Sequence, residues 1–107
     1  MKVLITVADT RISTAELGDF HYQRFLQWAL VENQAKGAFA ANIIKARIAS
    51  NEGLINSGLE FYANQYGLSV EQLQQRVADL DAEGNSIPQI RRKLQQEADS
   101  RAKKKSK

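Results

Sequence analysis

Residues 19–48, DFHYQRFLQWALVENQAKGAFAANIIKARI, decide how the rest of the chain is read. At 100° per residue, Tyr22, Phe25, Leu26, Ala29 and Leu30 form one apolar stripe, and Phe20, Trp28 and Val31 fall outside it. Beyond Gly37, Phe39, Ile43 and Ala46 form one ridge and Ala40, Ala41, Ile44 and Ile48 another. A helix apolar on two sides belongs in the middle of a small domain or in a subunit interface. Both helices are therefore expected to be covered from two directions, with Trp28 buried. Gly37 offers the positive φ that ends a helix, which predicts helices over 20–34 and 38–50.

Downstream of this hairpin the pattern stays helical. Ile55, Leu59, Tyr62, Ala63 and Tyr66 form the stripe of a third helix, closed by Gly67. Ser69 and Gln72 have capping-box spacing, with Leu68 placed to staple onto Leu73. Val70, Leu73, Val77 and Leu80 make one narrow seam on a fourth helix, ended by Gly84. Ser86, with Pro88 just inside, opens a fifth helix. Its apolar edge is Ile87, Ile90, Leu94 and Ala98, and Gln89, Arg92, Lys93 and Gln96 lie opposite. From residue 100, SRAKKKSK has nothing to bury and is expected to be disordered, so 1–98 reads as the helical domain and 99–107 as a basic tail.

Upstream, residues 2–7 alternate, with Val3, Ile5 and Val7 on one face and Lys2, Leu4 and Thr6 on the other, as in a strand. A lone strand leaves its backbone groups unpaired. It must either pair with the same strand of a second subunit or pack as an extended segment. Ser13 and Glu16 have capping-box spacing, and Asp19 is a second N-cap candidate. The fold expected is mostly α, a single domain of about five helices with one short N-terminal strand.

The totals bound the function. At 107 residues the chain suits one domain, and 43% hydrophobic with 25% charged residues is ordinary globular composition. The absence of cysteine excludes a disulfide framework, a thiol nucleophile and thiolate metal sites. His21 is the single histidine and reads as a boundary residue, so paired-histidine zinc chemistry is excluded. The glycines at 18, 37, 53, 58, 67 and 84 are too scattered to cradle a phosphate, and Ser13 and Ser69 are caps rather than nucleophiles. We expect no enzyme activity, no cofactor and no metal. No apolar run approaches the roughly 18–20 residues that span a bilayer, and MKVLITVA is too short for a signal peptide. A cytoplasmic protein without membrane contact is expected.

Charge supplies the one directional signal. Residues 1–86 carry 7 Lys and Arg against 10 Asp and Glu, whereas residues 87–107 carry 8 against 2. A mildly acidic body with a basic end suits a polyanion partner, the bland alternative being a solubilising tail. The candidate phosphate contacts are Arg91, Arg92, Lys93, Arg101, Lys103, Lys104 and Lys105. Asp79, Asp81 and Glu83 sit at the unfavourable end of the fourth helix dipole and are expected to pair across the turn with Arg91, Arg92 and Lys93.

Two resemblances bear on this reading. GNSIPQIRRKL resembles the helix that opens helix-turn-helix motifs in transposases and small repressors, but the chain lacks the reading helix that follows there. We read this region as a basic αα-hairpin. The order strand, RFLQWALVENQ helix, Gly-bearing turn and AFAANIIKARI helix is similar to the ribbon-helix-helix repressors and antitoxins. That resemblance implies a homodimer whose paired strands lie in the DNA major groove, and it places Lys2, Leu4 and Thr6 on the DNA side. The expected function is non-enzymatic DNA binding by a homodimer. The alternative is a helical interaction or assembly module that binds a protein partner and no nucleic acid.

Overall fold

A computed structural model describes residues 10–105. Among these residues there are five helices and no strand: α1 (Asp19–Glu32), α2 (Lys36–Ala49), α3 (Glu52–Tyr66), α4 (Val70–Ala82) and α5 (Ile87–Lys105). The strand expected at 2–7, with Lys2 and Thr6, lies outside the described residues. The described chain falls into two units that part between Gly53 and Leu54.

The first unit, Arg11–Gly53, holds α1 and α2. Ser13 and Glu16 do not start a helix, because Gly18 at φ +81° follows before a turn can propagate. Asp19 lies inside α1, whose N-cap is Gly18 without a side-chain cap bond. The far end of α1 also differs from expectation. Asn33, at φ +53°, takes the left-handed position, and its N–H reaches the carbonyls of Ala29 and Leu30. Asparagine is the residue after glycine that tolerates this conformation. Gly37 is thereby released into the first turn of α2.

Within this unit, the described residues do not bury the hairpin from two sides. Ala29 and Phe39 are its buried residues, with Phe25 stacked on Phe39 at 5.5 Å and the edge of Trp28 meeting Phe39 at 4.8 Å. Trp28 is 51% exposed, and Leu30 and Val31 are each 80% exposed. One helix can cover only one side of its neighbour, so within this unit α2 leaves the second apolar face of α1 uncovered.

The second unit is packed along the stripes that the periodicity predicts, except that Ile55 at the start of the α3 stripe and Ile87 on the α5 edge are exposed. α3 begins at Glu52, taking in Gly53, and Gly67 at φ +70° follows its end. Ser69 and Gln72 form the expected capping box, at 3.1 and 2.9 Å. Leu73 and Leu80 of α4, Ile90 and Leu94 of α5, and Ala63 and Tyr66 of α3 make one core, with Leu59, Tyr62, Leu68, Val70, Val77 and Ala98 packed against it. Ser86 and Gln89 close a second reciprocal cap at the start of α5. Ile87, expected on the apolar edge, is 62% exposed, at the rim of a hollow that it shares with Leu59, Leu73 and Ile90. No helix among the described residues is long and apolar enough to cross a membrane.

Candidate nucleic-acid interface

α5 carries most of the basic side chains the sequence singles out, and its phase on the core sorts them into two sets. Ile90 and Leu94 point into the core, which fixes the rotation of the helix. Arg91 is drawn towards α3. Its Nη2 donates to Tyr62 Oη at 2.6 Å, and its guanidinium lies 4.8 Å from the centroid of the Tyr62 ring. Arg101 goes the same way, its Nη2 donating at 2.6 Å to the Tyr66 carbonyl. That carbonyl is one of the acceptors left over at the end of α3, so Arg101 acts as its cap.

Arg92, Lys93, Lys103 and Lys104 form the other set, all solvent-exposed. Arg92 and Lys103 are eleven positions apart on one stripe, about 16 Å along the axis, with Lys93 and Lys104 at the same interval beside them. Lys105 ends the helix. The segment expected to be disordered is therefore helical as far as Lys105. Lys, Arg and Ala are good helix formers, and propagation from an anchored helix adds a bond for each residue ordered. Arg101 supplies the anchor.

Asp79 and Arg91 take other partners than those expected. Asp79 accepts from Gln75 Nε2 at 2.9 Å, and Arg91 donates to Tyr62 Oη rather than reaching across the turn. The interhelical ion pair that periodicity alone did not bring out is Arg76–Glu97. Arg76 Nη2 reaches Glu97 Oε2 at 2.6 Å, and its Nε lies 3.1 and 3.2 Å from the two carboxylate oxygens. Arg76 precedes Val77 of the α4 seam and Glu97 precedes Ala98 of the α5 edge, so both flank the apolar contact. Charges at such flanking positions commonly pair between helices, and that was the available signal. The hydrogen bond from Arg76, reinforced by its charge, holds the Glu97 carboxyl below its usual range, and Glu97 raises the Arg76 guanidinium. Neutralising Glu97 leaves Asp99, which accepts from Gln95 at 3.0 Å, as the acidic group on the outer side of α5.

The arrangement offers cations at two levels along a helix, a form suited to phosphate contacts and without a base-reading element of its own. No family model, curated protein or solved structure matches this chain.

Proposed function

We propose that the protein is a non-enzymatic, homodimeric DNA-binding protein of the small regulatory or accessory kind. The observation that carries this reading is the outward row on α5, Arg92 and Lys93 with Lys103 and Lys104 three turns on. Such a row contacts phosphates without reading sequence, giving affinity that falls with salt. Dimerisation is supported by the open apolar side chains of α1–α2, among them Phe20, Leu30 and Val31. A hairpin that buries only Ala29 and Phe39 gains from a second copy. The ribbon-helix-helix resemblance adds Lys2 and Thr6 as contacts from the paired strands. A titration of labelled duplex at several salt concentrations tests the reading. Converting Arg92, Lys93, Lys103 and Lys104 to Gln should weaken binding to all duplexes alike and flatten the salt slope by about 0.9 for each phosphate no longer neutralised. An unchanged slope overturns it.

The alternative reading, an assembly module without nucleic acid, draws support from Trp28, half exposed where an interface anchor would stand. Partner binding through that surface would hold its affinity across the same salt series.

A further inference from the structure

Between α1 and α2 lies an open groove of about 800 Å³, predominantly apolar, whose lining includes Phe25, Trp28, Ala40, Ile43 and Ile44. The basic groups on the same lining are His21, Arg24 and Lys36, and no carboxylate of the described residues lies on it. Among the described residues, neither Arg24 nor Lys36 has an ion-pair partner. Arg24 Nη1 donates to Gln27 Oε1 at 2.9 Å, and Lys36 Nζ donates to Tyr22 Oη at 2.8 Å while sitting 5.4 Å from that ring's centroid. Both partners are uncharged. Glu16 and Asp19 line an adjoining hollow, which shares Thr14, Leu17 and Tyr22 with the groove, so the carboxylates are confined to its Leu17 end.

An apolar groove edged by unmatched cations selects its occupant by charge as well as by shape. A second copy is a poor match, because a two-fold contact sets the same patch against itself and would bring His21, Arg24 and Lys36 against apolar groups or one another. A concave groove between two helices also fits a helix better than a planar lipid surface. We infer that this groove receives an apolar helix flanked by carboxylates, presented by another protein. The inference is independent of DNA binding by α5, and it leaves Phe20, Leu30 and Val31 outside the groove for self-association.

Trp28 is the single tryptophan and lines the groove, so its fluorescence reports occupancy. The probes are two synthetic amphipathic helices with the same leucine face, one flanked by Glu and one by Lys, titrated into the full chain. The Glu-flanked peptide should shift Trp28 emission to shorter wavelength and bind roughly tenfold tighter than the Lys-flanked one. Arg24→Glu combined with Lys36→Glu should reverse that preference. The milder pair Arg24→Gln and Lys36→Gln, for use if the first variant does not fold, should abolish it. Equal binding of the two peptides, or no shift with either, overturns the inference. So does a blue shift that grows with protein concentration alone, which would make a second copy the occupant. An emission maximum already blue at every dilution would assign the groove to the chain's own residues. A shift with anionic vesicles but not with peptide would assign it to lipid.

Discussion

At the scale of single residues, Leu80 and Trp28 exchange the importance their chemistry suggests. Leu80 is 1% exposed at the centre of the α3–α4–α5 core, whereas the larger indole keeps half its surface in water. Leu80→Ala should cost roughly 2–5 kcal/mol. Trp28→Ala should cost about half of the ~3–5 kcal/mol lost by a fully buried aromatic. Denaturant titration followed by circular dichroism ranks the two. The Arg76–Glu97 pair gives a second prediction. Its carboxyl titrates lower in the folded chain than unfolded, so its contribution is complete above the ordinary glutamate value of 4.5 and is lost as pH falls through the folded value. Because both side chains are about one-third exposed, a double-mutant cycle with Arg76→Ala and Glu97→Ala should give a coupling of only ~0.2–1 kcal/mol at neutral pH. That coupling should vanish in acid.

At the scale of elements, α5 is held at two heights by arginines that reach α3. Below Arg101 the helix has no buried apolar side chain, and the contact of Arg101 with the Tyr66 carbonyl ties its end to α3. Arg101→Ala should leave the core intact while the amides of residues 102–105 exchange several-fold faster, read by hydrogen exchange. The start of α4 is a contrasting case. There Ser69 and Gln72 satisfy each other's backbone groups, and Ser69→Ala should cost ~1 kcal/mol. This cap was legible in the sequence because its partners are three residues apart. The end of α1 was not, since Asn33 and Gly37 both tolerate a left-handed turn and only the path of the chain chooses between them.

At the scale of the whole molecule, the exposed Leu30 and Val31 of α1 bear on self-association. If a second copy covers them, the protein sediments as a dimer at micromolar concentration, and Leu30→Lys with Val31→Lys yields a less stable monomer. Sedimentation of both at matched concentration decides it, and a monomeric wild type removes self-association from the proposed function. The basic end of the chain was legible as a charge imbalance, a property of composition. Which cations face outward was not legible. Arg91 and Arg92 are adjacent and identical in chemistry, yet one lies over Tyr62 and the other faces solvent.

The sequence by itself determined the elements: five apolar periodicities, the Ser69 and Ser86 caps, and the seam of Leu73, Leu80, Ile90 and Leu94. These depend on backbone bonds and side-chain repeats spanning a few residues, so neighbours in the chain suffice to specify them. Only the tertiary structure decided which apolar face of α1 is covered and which arginines are engaged. Tyr62 and Arg91 are 29 residues apart, and Tyr66 and Arg101 are 35 apart. Contacts at that separation follow from the rotation of α5 on a shared core. A periodic pattern shows that a face is apolar, but what lies against that face is set by the packing of other helices.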